Sequence, residues 1–188
     1  WNTDATAHDD YVKNTKAITL GLSNNGSTVT ISDVIPDGLA ANSTSTPSVN
    51  SLTKSGSGTF YLTGNNTYGG GTTVSAGILC SGMNNASNTT FGSGSISVAS
   101  GATLWIDGTN DGVYSNTLTL DGGTFLLTGT CYYDGNIILT SNSTLRSATE
   151  INYLDGIISG TSSVTKTGGY PLYFRAANTY SGSTTVSA

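Results

Sequence analysis

An internal repeat constrains the fold of this chain more than any other feature. Residues 51–76 read SLTKSGSGTFYLTGNNTYGGGTTVSA, and residues 163–188 read SVTKTGGYPLYFRAANTYSGSTTVSA. The two segments align without a gap, at an offset of 112 residues. Such repetition is typical of solenoids, in which each unit cannot bury its apolar face alone and stacks on its neighbours.

Eight residues occupy equivalent positions in the two copies, and we predict structural roles for them. Identity at repeated positions reflects shared architecture, so packing or corner roles are favoured over ligand contact, including for the two tyrosines. These residues are Lys54, Asn66, Thr67 and Tyr68 in the first copy, and Lys166, Asn178, Thr179 and Tyr180 in the second.

A shorter rhythm lies between the copies. Val98, Leu118, Ile138 and Ile158 recur at an interval of 20 residues, which is about one solenoid turn. Glycine and asparagine at the intervening corners permit the backbone conformations that tight turns require. We therefore expect these four apolar residues to form one inward-facing column.

These patterns predict an all-β chain folded as a right-handed parallel β-helix. Residues 51–188 are expected to form its regular turns, and residues 1–50 an irregular β region of the same solenoid. Because residue 188 falls inside a repeat, the chain is expected to be a fragment of a longer protein. An uncapped solenoid end exposes strand edges and core.

The amino-acid composition restricts the cellular location and the partners expected for this chain. Only 9% of the residues are charged, against roughly 25% in ordinary soluble domains, which favours a secreted or extracellular β-protein. The net charge of −5 and the absence of a Lys/Arg cluster exclude nucleic acid as a partner. No apolar run is long enough to predict a membrane span.

The residues of this repeat resemble those of a known protein family. Residues 54–79 resemble the autotransporter-associated, or passenger-associated, β-strand repeat at nearly every position. Residues 166–188 depart from it at Pro171 and at Arg175-Ala176. The resemblance implies a bacterial surface or secreted protein whose β-helical passenger region acts as stalk or scaffold, with activity held elsewhere.

The residues favour no catalytic or metal site. The eleven acidic residues are scattered, and those between Asp107 and Asp155 mostly adjoin glycine in turn-like contexts. Cys80 and Cys131 have no metal-ligand spacing, and the sequence leaves open whether they are bonded or free. We expect no enzyme activity and no cofactor, with calcium binding between Asp107 and Asp111 as a minor alternative.

The interpretation is therefore a non-catalytic structural or display segment. The alternative is a carbohydrate-active or glycan-binding β-helix, for which the best candidate contacts are Trp105, Tyr132 and Tyr133. An acidic cluster on one face would favour an enzyme, and an exposed aromatic row would favour a glycan-binding module. A host or neighbouring cell surface is another candidate partner.

The last strand is the candidate assembly edge. Thr184, Thr185 and Val186 belong to a β-prone, uncharged segment without proline, so nothing in it opposes further strand pairing. We expect this edge to contact other copies, or the rest of its parent chain, end to end.

Overall fold

The computed structural model describes residues 17–22, 28–37, 49–82, 89–108 and 113–187. Within these ranges every regular element is a strand. The nineteen strands are β1 (Ala17–Leu22), β2 (Thr28–Ile31), β3 (Ser51–Gly56), β4 (Thr59–Leu62), β5 (Thr72–Val74), β6 (Ile78–Ser81), β7 (Ile96–Ala99), β8 (Thr103–Gly108), β9 (Val113–Tyr114), β10 (Leu118–Asp121), β11 (Thr124–Gly129), β12 (Cys131–Tyr133), β13 (Ile137–Ser141), β14 (Ser143–Ser147), β15 (Asn152–Leu154), β16 (Ile158–Gly160), β17 (Val164–Thr167), β18 (Leu172–Phe174) and β19 (Thr184–Val186).

The strands stack as three parallel sheets that form the faces of a β-solenoid. The first sheet has the order β1-β3-β5-β7-β10-β13-β16, and the second β2-β4-β6-β8-β11-β14-β17-β19. The third sheet, β9-β12-β15-β18, begins later in the chain. Every pairing between these strands is parallel, which confirms the predicted all-β parallel solenoid.

The N-terminal part joins the same stacks where it is described. Strand β1 pairs with β3, and β2 pairs with β4, both in parallel. Most of the region 1–50 lies outside the described residues, so its predicted irregular character stays a prediction.

The predicted inward column is wrong in register. Ile96 pairs with Leu118, Leu118 with Ile137, and Ile137 with Ile158, so these four residues form the column. Val98 instead pairs with Leu120, one position further along the inward face. Ile138 is 38% exposed on the outer face.

Unequal turn lengths explain this difference. From β3 to β16, successive paired positions on the first sheet are separated by between 19 and 24 residues, not by a constant 20. Since side chains alternate between the two sides of a strand, a shift of one residue moves a side chain from the core to solvent. The assumed interval of 20 residues therefore groups three inward residues with Ile138, which faces outward.

A continuous apolar core runs along the solenoid. Inward residues of the second sheet include Leu79, Leu104, Phe125 and Leu145, which follow one another in register and are all fully buried. Alternate residues in β8 and β11 are buried, as expected for strands with one face on the core. Each turn thus buries its apolar side chains against the turns on either side.

The pair Ile137 and Ile138 offers a direct test of the register. Replacing Ile137 with valine removes a methylene group from a fully buried site and is expected to cost about 0.5–1.5 kcal/mol of unfolding free energy. The same change at the outward Ile138 is expected to have almost no effect. Urea denaturation of both variants measures the difference, and equal costs at the two positions would contradict the observed register.

Candidate interaction surface

The repeat lysine of the first copy is buried and joins two turns. Lys54 is fully buried, and its Nζ atom donates hydrogen bonds to the carbonyl oxygens of Ser55 at 2.9 Å and Gly56 at 2.6 Å. A third bond, of 2.9 Å, reaches the carbonyl oxygen of Ala76 one turn later. Burial lowers the pKa of this ammonium group from its usual value, and the ring of Phe60 lies 5.6 Å away.

The Asn-Thr-Tyr segment of the first copy also bonds in both directions along the solenoid. Asn66 Oδ1 accepts a 2.7 Å hydrogen bond from the Ile35 amide, and Asn66 Nδ2 donates a 2.6 Å bond to the Thr90 carbonyl oxygen. The amides of Thr67 and Tyr68 both donate to the Ile35 carbonyl oxygen. The segment therefore fastens the preceding turn to the following one.

The second copy reproduces this geometry. Asn178 Oδ1 accepts a 2.7 Å bond from the Ile158 amide, and the amides of Thr179 and Tyr180 donate to the Ile158 carbonyl oxygen. Lys166 Nζ donates to the carbonyl oxygen of Gly168, just as Lys54 does to that of Gly56. Both glycines have positive φ, a conformation that glycine adopts at little cost.

The two copies nevertheless lie on different faces. Lys54 is in β3 of the first sheet, whereas Lys166 is in β17 of the second sheet. Five steps along the first sheet lead from β3 to β16, and β17 is the next strand. The repeat therefore recurs after five turns and one additional face, which rotates it about the solenoid axis.

The second copy is open on one side. Val74 of the first copy is fully buried, while the equivalent Val186 is 73% exposed. Strand β19 pairs with β17 and forms the end of the second sheet within the described residues. Thr184, Thr185 and Val186 are all exposed there, so the predicted assembly edge is accessible.

The outer face of the third sheet carries a row of stacked tyrosines, here called the tyrosine ladder: Tyr132, Tyr153 and Tyr173. The ring centroids of Tyr132 and Tyr153 are 4.8 Å apart at an interplanar angle of 6°. Those of Tyr153 and Tyr173 are 5.4 Å apart at 16°. Parallel strand pairing imposes this stack, because equivalent outward positions fall above one another.

An ion pair borders the ladder. The Nε and Nη2 atoms of Arg175 both donate to the carboxylate of Asp155, one turn earlier. The guanidinium carbon lies 4.6 Å from the ring centroid of Tyr153 and 5.6 Å from that of Tyr132. The neighbouring carboxylate raises the pKa of Arg175 above its usual value through the hydrogen bond.

The three aromatic residues predicted from the sequence do not form one surface. Tyr132 lies in the ladder, but Trp105 lies on the outer face of the second sheet, in edge contact with Tyr61. Tyr133 is fully buried and donates a 2.7 Å hydrogen bond to the Asn116 carbonyl oxygen. Its position in the core corrects the expectation that Tyr133 contacts a glycan.

Sequence reasoning missed two members of the ladder and its arginine. Tyr132, Tyr153 and Tyr173 recur at nearly the turn length, a signal that was present in the sequence. It identifies an outward column only when the strand register is known, because Tyr133 and Tyr170 lie close by in the same sequence pattern. The sequence marks Arg175 only as a departure from the repeat.

Other candidate chemistry is distributed away from this surface. Cys80 and Cys131 are free and buried, and burial raises the pKa of both thiols, that of Cys131 to about 12. Among the described residues no group of three His, Cys, Asp or Glu side chains is placed to hold a metal ion. Asp111, of the calcium alternative, lies outside them.

None of the described residues forms a helix that could cross a membrane.

Comparisons with known proteins agree with the repeat geometry. A family model, the passenger-associated transport repeat, matches residues 52–79 and 164–188. The chain is 38% identical over 138 residues to the adhesin BmaC autotransporter of Brucella suis biovar 1 (strain 1330). That alignment covers 72% of this chain and 4% of the relative, so the chain spans a small part of that protein's length. No solved structure matches the chain.

The chain folds as a parallel β-solenoid, and two of its segments match the passenger-associated transport repeat. The chain carries two copies of the passenger-associated transport repeat and is similar to an autotransporter adhesin, which confirms the predicted resemblance. The matches indicate a bacterial cell-surface or secreted protein.

Proposed function

We propose that this chain is a rigid, non-catalytic spacer within a bacterial surface adhesin, and that further solenoid turns stack on its open end. The observation that carries this proposal is the difference between the two repeat copies. Asn66 and Tyr68 bond a following turn in the first copy, whereas Val186, the equivalent of the buried Val74, is 73% exposed in the second.

Two contacts of the first copy define what the following turn supplies. Asn66 Nδ2 donates a hydrogen bond to the Thr90 carbonyl oxygen, and the Tyr68 carbonyl oxygen accepts one from the Ser93 amide. In the second copy, Asn178 and Tyr180 occupy the equivalent positions. The stacking partner is therefore a solenoid turn of the same type, from the parent chain or from another copy.

The core supports the role of a rigid spacer. Buried apolar side chains form one cluster that extends from Ile31 to Val164. A rod whose turns share one core and one set of cross-turn hydrogen bonds resists bending between its turns. Such a rod holds adhesive parts of a longer protein away from the cell surface.

The repeat alignment itself provides the test. Appending a second copy of residues 77–188 after Ala188 continues the periodic sequence and is expected to lengthen the rod by about 25 Å, from about 4.8 Å per turn. Small-angle X-ray scattering should show this increase with an unchanged cross-section. A separate body on a flexible connection, or a thicker particle, would refute the proposed stacking.

Cysteine labelling adds a matched control. With Cys80 and Cys131 replaced by alanine, a maleimide should label the Val186→Cys variant rapidly in the original chain and slowly in the extended one. The equivalent Val74→Cys variant should be labelled slowly in both, because Val74 is already covered. Rapid labelling of Val186→Cys in the extended chain would show that no turn stacks there.

A further inference from the structure

We propose, independently of the spacer role, that the tyrosine ladder and the Arg175–Asp155 pair bind one extended, neutral, β-1,4-linked polysaccharide chain. The polysaccharide runs parallel to the solenoid axis along the outer face of the third sheet. Its successive sugars contact Tyr132, Tyr153 and Tyr173 in turn.

The spacing of the ladder supports this orientation. Its ring centroids are separated by 4.8 and 5.4 Å, which are set by the distance between neighbouring β-strands. Sugars in a flat, extended β-1,4-linked chain follow one another at nearly the same interval. A chain laid along the axis therefore stays in register with the ladder, whereas a coiled α-1,4-linked chain does not.

The groups on this face are those that recognise sugar hydroxyls. A tyrosine hydroxyl both donates and accepts hydrogen bonds, and its ring supplies apolar contact area. Arg175 uses two of its five N–H donors on Asp155, so its guanidinium retains donors for a ligand. The pair is accessible, since the side chain of Arg175 is 49% exposed.

The stacking determines how the sugars make contact. The faces of the inner rings pack against each other, so the ligand meets ring edges and hydroxyl groups along the strip. Tyr173 is 49% exposed and offers the largest contact area. Because the stack and the ion pair hold these side chains in place, binding costs little side-chain entropy.

Charge favours a neutral polymer. Arg175 is the cation at the ladder, and Asp155 already balances it. Asp134, which follows the paired residue Tyr133, is exposed beside the same sheet, and the whole chain has a net charge of −5. An anionic polysaccharide would meet uncompensated negative charge on this face.

Calorimetric titration with cellobiose, cellotetraose and cellohexaose tests the proposal. Affinity should rise from the disaccharide to the tetraose, which spans three rungs, and then change little. Tyr153→Ala should weaken tetraose binding by about tenfold, as expected for loss of one central aromatic contact. Tyr153→Phe should weaken it less, since only the hydroxyl is lost.

Two controls keep the result specific. Tyr170→Ala removes a 46% exposed tyrosine from the turn before β18 and should leave binding unchanged. Maltohexaose, an α-1,4-linked oligomer, should not bind.

The proposal is overturned if a Tyr153→Ala variant with unchanged circular dichroism binds cellotetraose as the original chain does, or if no cello-oligosaccharide binds. It is equally overturned if the ladder mediates self-association. In that case sedimentation would show a dimer that Tyr153→Ala dissociates. Neither outcome affects the spacer role, which the length of the extended chain tests.

Discussion

Replacing Tyr133 with alanine is expected to lower the free energy of unfolding by about 3–5 kcal/mol, the usual cost of removing a large buried aromatic side chain. Its ring is fully buried and lies 4.9 Å from that of Phe125 in an edge contact. Burial also raises the pKa of its hydroxyl, which stays neutral and bonded to the Asn116 carbonyl oxygen.

Neighbouring variants separate the contributions. Tyr133→Phe keeps the ring and should cost about 1 kcal/mol, the value of one buried hydrogen bond. Tyr132→Ala removes the adjacent but outward tyrosine and should cost about 0.5–1.5 kcal/mol from lost stacking. Guanidinium denaturation followed by circular dichroism measures all three. Similar losses for Tyr132→Ala and Tyr133→Ala would contradict the assignment of one to the surface and the other to the core.

Replacing Lys54 with methionine should cost about 2–3 kcal/mol, because it removes a charged donor from three carbonyl oxygens at a buried site. Methionine has a similar length and can occupy the same space. The loss therefore reports on the hydrogen bonds more than on packing.

The second repeat copy provides the matched control. Lys166→Met changes the equivalent residue, which is only partly buried in β17, and should cost less than about 1 kcal/mol. Strand β19 pairs with Lys166 as β5 pairs with Lys54, so comparing the two denaturation midpoints measures the effect of turns beyond that neighbour. Equal costs at Lys54 and Lys166 would contradict the expectation that deeper burial strengthens the hydrogen bonds of the repeat lysine.

The sequence was sufficient to predict the class of fold. The gapless repeat and the recurring short strands required a stacked parallel architecture, and the structure has it. What could not be predicted was which residue of a strand faces inward. Turn lengths vary with the corners, and Ile137 and Ile138, both isoleucine, carry no signal that distinguishes core from surface.

The sequence predicts structural roles for the repeat positions, but it does not predict which contacts their side chains make. A lysine is ordinarily expected on the surface, whereas Lys54 is buried because carbonyl oxygens from two turns surround its ammonium group. Its partner Ala76 is one turn away in sequence, and no local pattern indicates that contact. The tyrosine ladder likewise depends on which equivalent positions of separate turns coincide.

Distances between spin labels on the first sheet test the solenoid most directly. One series of positions is paired from each strand to the next: Thr53, Thr73, Ser97, Thr119, Ile138 and Ser159. Thr73 and Ser159 are therefore four turns apart, and Thr53 and Ser159 are five turns apart. Cysteines at these sites, with Cys80 and Cys131 replaced by alanine, accept the labels on the outer face.

Pulsed electron paramagnetic resonance should then give narrow backbone separations of about 19 Å for the Thr73–Ser159 pair and about 24 Å for the Thr53–Ser159 pair, from about 4.8 Å per turn. The increment of one strand spacing for one added turn is the signature of a continuous parallel stack. Broad distributions, or a Thr53–Ser159 separation no larger than that of Thr73–Ser159, would contradict the solenoid.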